Sequence, residues 1–351
     1  MGQRPVIKTK AMVLAAGAGT RLQPITHEVP KPMAPVVNRP VLHHVLDTLA
    51  RHKIRDVVMN VHAQPELVRA YCGDGSKWGL NIVYSHERKL LGTAGSLKKV
   101  AKHFTDSRIL ILSGDGHHDV NLTAFQRFHA ARRSFATMVT KRVDARFEYG
   151  VALANKRGRI NGFLEKPYLG SFFSNQANTG IYLFEPGVLR LLPRGFYDYG
   201  HDLWPKLLRL KKPIYSWEWK GYWCDIGNLT EYRRSSRDTL DGKIGVQIPG
   251  KQRRKGVWVE KGAQIHPKAR IKAPCVIGAG AKISSGATVG PYSVVGAGSQ
   301  IKAGAQVKNS ILFDDANVGR NAFLANCVVG SRCRIESGST LYNADVLKSR
   351  N

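Results

Sequence analysis

Val259, Ile265, Ile271, Ile277, Ile283, Val289, Val295, Ile301, Val307 and Phe313 fall on a strict six-residue period, and nearly all are β-branched. Two residues before most of them stands a small side chain: Ala263, Ala269, Cys275, Ala281, Ala287, Ser293, Ser299 or Ala305. Gly280, Gly286, Gly298 and Gly304 recur between them. A chain wound into a narrow solenoid needs this spacing. Each hexad supplies one short strand whose branched residue points inward, and small residues stand where the chain turns. After Phe313 the register slips through Val318, Leu324, Val329, Ile335 and Leu341, where irregular or capping coils are expected.

The pattern resembles the hexapeptide repeats of left-handed parallel β-helix domains, in which three hexads make one triangular coil. Upstream, short apolar runs alternate with helix-like segments, which reads as α/β with a mostly parallel sheet. AMVLAA, DVVMNV, NIVYS, RILILSGD and ATMVT look like buried strands, and Val41, Leu42, Val45, Leu46 and Leu49 share one helical face. This divides the chain into an α/β domain over residues 1–240, a basic linker over 241–256 and a β-helix over 257–351.

A length of 351 residues suits two domains. No apolar run approaches a membrane span, and the first ten residues lack a secretory pattern. The five cysteines are scattered, without a C-x-x-C pair, as expected of reduced thiols in the cytoplasm. The net charge of +29 raises the question of nucleic acid. Residues 1–240 carry 37 basic and 19 acidic groups and residues 241–351 carry 17 and 6, so no single tail is responsible. Only Lys251–Lys255 is a dense run, and no aromatic residues are interleaved with it as a stacking platform requires. A solvated basic surface that attracts anionic substrates is the expected reading, with neither nucleic acid nor membrane as partner.

In parallel sheets ligands sit beyond the carboxyl ends of strands. There the first run leads into LAAGAGTRLQPITHEVPKPM, Leu14 to Met33. Gly17 and Gly19 let the backbone approach a ligand and turn its N–H groups toward an anion, and Arg21 adds a fork of donors. Leu22 stands where a dinucleotide fingerprint has its third glycine, and no Gly-Lys-Ser/Thr follows, so two common phosphate loops are excluded.

The full string GAGTRLQPIT…PKPM resembles the signature of the sugar nucleotidyltransferases. LGTAGSL at Leu91, LSGD at Leu112, EYGV at Glu148, FLEKP at Phe163, NTGIYLFEP at Asn178 and GYWCDIGN at Gly221 follow in the family's order. The resemblance implies a Rossmann-like catalytic domain followed by a left-handed β-helix. It also implies Mg2+-dependent attack of a sugar 1-phosphate on the α-phosphorus of a nucleoside triphosphate, with pyrophosphate leaving. Two polyanions must then be held in line and the leaving charge neutralised, which calls for cations and a divalent metal.

Carried over residue by residue, the resemblance implies nucleotide contacts from Leu14, Ala16, Gly17, Gly19, Thr20, Arg21, Gly92, Thr93 and Ala94. Arg21 grips the triphosphate, Lys31 neutralises phosphate at the reacting centre and Lys166 holds the sugar phosphate. Gly150, Glu165, Asn178 and Thr179 read the sugar, and Asp115 and Asp225 hold Mg2+, with Asp119 as a helper. The second acid that relatives often carry is replaced by Asn121. His117 and His118 are expected on a loop surface, without a second ligand cluster to make them a transition-metal site.

The strings most resemble the mannose-1-phosphate guanylyltransferase branch, which implies GTP and mannose 1-phosphate giving GDP-mannose; UTP with glucose 1-phosphate is the alternative. Two other classes are weighed. A regulatory or binding homologue is expected to have lost the charged positions, all of which are present here. An acyltransferase activity of the β-helix wants a general base, for which the hexads offer only His266. The solenoid's faces suggest a homo-oligomer whose assembly, but not catalytic fold, is lost from a chain ending near Leu240.

Overall fold

The computed structural model describes residues 7–143, 149–166 and 174–347, so Glu148 of EYGV and Pro167 of FLEKP lie outside the described residues. The chain forms two compact units that no single cut separates. One comprises Met1–Ala18 with Val45–Asp225, the other Gly19–His44 with Ile226–Asn351.

The first unit is built on a nine-stranded sheet. All five apolar runs read as strands are present, as Thr9–Leu14, Asp56–Val61, Asn81–His86, Arg108–Ser113 and Ala136–Arg142. Met12, Val13, Met59 and Ile109 to Leu112 are buried, as continuous apolar runs require when both faces of a strand are covered. The first four of these strands are parallel to one another, with Thr9–Leu14 between Asp56–Val61 and Arg108–Ser113. Beyond them the sheet turns mixed. Gln176–Phe184 runs antiparallel to both Arg108–Ser113 and Ala136–Arg142. The expectation of a mostly parallel sheet therefore holds for the half that carries the glycine-rich loop.

The second unit contains a β-helix of three parallel sheets. Val257, Cys275 and Ser293 stack in register on coils of 18 residues. From there Val294, Ile311, Val328 and Asp345 stack on coils of 17 residues. The residue lost falls at one corner, so the sixth-position series breaks before Phe313. Leu312 stacks between Val295 and Val329 in the core, and Phe313 packs outside it with Leu22 and Ile25. The irregular coils expected past this point are regular ones, each a residue shorter. Asn309, Asn326 and Asn343 hold the shortened corner at φ of 46°, 58° and 51°, a left-handed conformation that asparagine tolerates. Gly280 and Gly298 serve another corner with φ of 65° and 67°.

One outer face of the β-helix is apolar. Val276, Val294, Ile311 and Val328 share a buried cluster with Leu22, Ile25, Val36, Val37 and Tyr232. Polar contacts fix the same segment: Tyr232 Oη donates to Pro35 O at 2.7 Å, Ser331 N to Glu28 Oε2 at 2.9 Å and Asn38 Nδ2 to Val295 O at 2.9 Å. Most of the glycine-, arginine- and lysine-bearing stretch is thus built against the solenoid.

Candidate active site

Leu14 pairs with Ser113, and Gly114 N donates to Leu14 O at 2.8 Å, so the loop after the first strand and the LSGD turn leave the sheet side by side. Asp115 follows, with Ser113 Oγ donating to its Oδ1. A short antiparallel ribbon then completes the arrangement: Trp223–Asp225 pairs with Gly116–His118, and Asp225 stands opposite Gly116. Two carboxylates separated by 110 positions of chain are thereby set one residue apart across a strand pair. Magnesium takes few protein carboxylates and fills its sphere with phosphate oxygens, so this pair suits it. Among the described residues no group of three or more His, Cys, Asp or Glu is placed to hold a metal ion.

Neighbouring residues expected at the site have structural employment. Asp119 Oδ1 accepts from Trp219 Nε1 at 2.9 Å and Tyr222 N at 2.8 Å, pinning the turn that delivers Asp225. Asn121 caps the helix Leu122–Ala131 by accepting from Ala124 N at 2.9 Å. His117 and His118 are not on a loop surface: both are buried in the Gly116–His118 strand. Burial pushes the His118 imidazole down to about 4.

The small residues of LGTAG begin the helix Gly92–Lys99. Ala94 N and Gly95 N both donate to Tyr197 O at 2.9 Å, and a Cβ on Gly92 would meet that carbonyl. Thr93 Oγ1 donates to Asp198 Oδ2 at 2.7 Å. Helix start and close packing thus explain the glycines, while Leu14 ends the first strand and Ala16 and Gly17 follow it. Gly17 is exposed, with open space where a Cβ would stand.

Glu165 lies between two glycines: a Cβ on Gly150 would stand 2.6 Å from its Oε2, and one on Gly200 closer still. Burial raises its carboxyl above the usual range, and the Asp198 charge adds to this. Asn178 Nδ2 donates to Tyr182 Oη at 2.8 Å and its backbone N to Gly150 O at 2.7 Å, so Gly150, Glu165 and Asn178 are brought together. Thr179 is directed away, its hydroxyl donating to Val139 O at 2.7 Å inside the sheet. Lys166 is exposed next to Glu165, with a left-handed φ of 44°.

Within the second unit, Gly19 (φ 66°) opens the turn Thr20–Leu22, and a Cβ there would stand 2.9 Å from Lys31 Cβ. Gly19, Thr20, Arg21 and Lys31 therefore form one group, with Arg21 exposed and Lys31 half-buried.

Sequence reasoning missed the support beneath the first unit's loops. Asn60 Oδ1 accepts from Ala15 N at 2.9 Å, and its Nδ2 donates to Glu87 Oε1 at 2.9 Å and Ser96 Oγ at 3.1 Å. Leu91 N donates to the other Glu87 oxygen at 3.2 Å. Glu87 is 1% exposed, so this buried network ties strand end, loop and helix start together. Asp198, which caps the π-helical turn Tyr199–Leu203 and holds Thr93, was missed too.

The nucleotidyl transferase family model matches residues 10–242, and the GMPPB C-terminal domain model matches residues 271–350. The chain belongs to the nucleotidyl transferase family. It is 39% identical to a UTP--glucose-1-phosphate uridylyltransferase of Synechocystis over 71% of this chain and 68% of that one. It is 34% identical to a mannose-1-phosphate guanyltransferase of Pichia angusta over 64% of this chain and 62% of the relative's length. The solved structure of HddC from Yersinia pseudotuberculosis, complexed with GMP-PN, shares the fold, with a TM-score of 0.57 and 20% identity over 66% of this chain and 99% of that one.

Proposed function

We propose that the chain transfers a nucleotidyl group from a nucleoside triphosphate to a sugar 1-phosphate, releasing pyrophosphate. The observation that carries this reading is the register of Asp225 opposite Gly116, which sets two carboxylates together beside the loop after the first strand. Asp115 and Asp225 would hold Mg2+, which supplies charge neutralisation on the phosphates when bound.

The remaining work belongs to the chain's own groups. The amides of Ala16, Gly17, Gly19 and Thr20, which follow Leu14 at the strand end, and the guanidinium of Arg21 orient the triphosphate, and Lys31 offsets charge where pyrophosphate departs. Gly92 presents backbone without a side chain to the nucleoside, Ala94 is buried beneath it with its N–H on Tyr197 O, and Thr93 fixes that turn through Asp198. Lys166 binds the phosphate of the sugar, and its oxygen is the nucleophile, so no protein nucleophile enters. Glu165 and Asn178 accept from and donate to sugar hydroxyls, with Gly150 giving clearance. Thr179 positions this strand from within.

For substrates we favour GTP with mannose 1-phosphate. The match of the GMPPB C-terminal domain model over residues 271–350 supports that choice. The 39% identity to the uridylyltransferase of Synechocystis supports UTP with glucose 1-phosphate as a second reading. A grid of nucleotides against sugar 1-phosphates, scored by kcat/KM, decides between them. The highest value is expected for GTP with mannose 1-phosphate, and a clear preference for UTP would overturn the choice while leaving the reaction class standing.

A further inference from the structure

Within the second unit, Glu28 ends the short helix Ile25–Glu28 and reaches the β-helix, where its Oε2 accepts from Ser331 N at 2.9 Å. The coil it meets keeps a place for it. Successive coils align Ile277, Val295, Leu312 and Val329, so the residues after them, Gly278, Gly296, Phe313 and Gly330, hold one corner position. A Cβ on Gly278 or Gly296 would collide with the backbone of the following coil, which accounts for glycine there. At Gly330 the three atoms nearest to such a Cβ all belong to the Glu28 carboxyl group. Gly330 has no left-handed φ, and Phe313 carries a side chain at the same position one coil earlier. This glycine therefore serves the incoming carboxylate rather than the solenoid.

The neighbouring amide follows the same logic. Ala297, Asp314 and Ser331 repeat on this corner, and Ala297 N donates at 2.8 Å to Asp314 Oδ1, a carboxylate of the solenoid's own next coil. Ser331 N takes its carboxylate from Glu28 instead, 303 positions away in the chain. Bonds to an ionised acceptor are roughly twice as strong as neutral ones. From Glu28 the connection runs into the glycine-rich loop. Thr26, on the same helical turn, donates to Gly19 O at 3.1 Å, and a Cβ on Gly19 would stand 2.9 Å from both Thr26 Cγ2 and Lys31 Cβ. Pro30 and Pro32 fix φ on either side of Lys31, which leaves little slack between that side chain and Glu28.

We propose that Glu28 is a positioning residue: seated on Ser331 N in the space that Gly330 keeps, it sets the turns that carry Arg21 and Lys31, so that a coil of the β-helix takes part in catalysis. The role rests on the nucleotidyl transfer proposed above. Glu28 acts through where it holds the two cations, and a misplacement of about 1 Å at a reacting centre costs up to about a hundredfold in rate.

Gly330→Ala puts a methyl group where the Glu28 carboxyl group lies, without altering the loop itself. Steady-state pyrophosphate release and hydrogen exchange, both on the full chain, test the latch, with circular dichroism to check the folded state. Gly330→Ala and Glu28→Ala should each lower kcat about tenfold. KM for the sugar 1-phosphate should stay unchanged, since Glu165 and Asn178 belong to the other unit. The double variant should lose no more than either single one, because both remove the same contact. Glu28→Gln keeps an acceptor for Ser331 N and should restore most of the rate. Amides of residues 19–34 should exchange faster in Gly330→Ala than in the parent, and Gly330→Ala should add nothing in the Glu28→Ala background. A parent that releases no pyrophosphate overturns the transfer reaction and this role with it. In an active parent, exchange that Gly330→Ala leaves unmoved, additive losses in the double variant, or faster exchange at unchanged kcat would each overturn the role of Glu28 alone.

Discussion

Asp115 and Asp225 were legible one at a time, each at the end of an apolar or aromatic run, but only strand pairing makes them a pair. If they hold Mg2+ on the phosphates, Asp115→Asn or Asp225→Asn should lower kcat by about a hundredfold or more with little change in thermal midpoint. Steady-state pyrophosphate release beside a melting curve checks both halves. Glu165 offers a different test, because its charged form is disfavoured by burial and by Asp198. A carboxyl whose folded pKa is raised contributes most stability below its unfolded pKa and loses it as pH rises through the folded value. Glu165→Gln should therefore melt higher than the parent at neutral pH, converge with it in acid, and raise KM for the sugar phosphate. His118 has the opposite sign: held down to about 4, it must take a proton to unfold below its ordinary value of 6.5. It costs about 3 kcal/mol of stability as pH falls through that window. His118→Asn keeps an acceptor for Val120 N and should flatten the acid limb of the urea midpoint against pH. Nothing in the string SGDGHHD marked those histidines as buried, because the ribbon that covers them comes from residues 223–225. Glu87 and Asn60 were equally invisible: lone polar residues at strand ends carry no pattern until their partners are brought up.

Elements were more readable than residues wherever a period was sustained. The hexads located the β-helix, and the apolar runs located the five strands that frame the proposed site. The six-residue rule failed at one corner, where each later coil drops a residue and Leu312 replaces Phe313 inside. The signal was present as Asn309, Asn326 and Asn343, spaced 17 apart, since asparagine is the side chain that best tolerates a left-handed φ after glycine. Asn326→Val should accordingly cost about 1–2 kcal/mol in urea unfolding, and Asn326→Gly much less. At the edge, Lys251–Arg254 forms a fully exposed strand beside Val257–Val259. The densest basic run of the sequence there protects an open sheet edge from pairing with another chain, a structural use of charge that composition alone could not separate from a binding one.

At the scale of the whole molecule, the chain does not resolve into a catalytic half and an appendage. Leu22, Ile25, Val36 and Val37 are fully buried in the cluster they share with Val276, Val294, Ile311 and Val328. Ending the chain near Leu240 would remove one side of that cluster. Each exposed side chain is worth about 1.5–3 kcal/mol. The sequence alone suggested that such a truncation keeps the catalytic fold; the packing predicts instead a chain that is insoluble or melts far below the parent, which expression and calorimetry would show. The Gly19–Met33 stretch explains why this was hidden: its family signature points to nucleotide chemistry, while its apolar residues serve the solenoid. The central claim, nucleotidyl transfer to a sugar 1-phosphate, is tested most directly by pyrophosphate release from the purified full chain with Mg2+. Release is predicted only when a nucleoside triphosphate and a sugar 1-phosphate are both present, with a nucleotide sugar formed in equal amount. Release from the triphosphate alone, or none across the nucleotide and sugar grid, would contradict it.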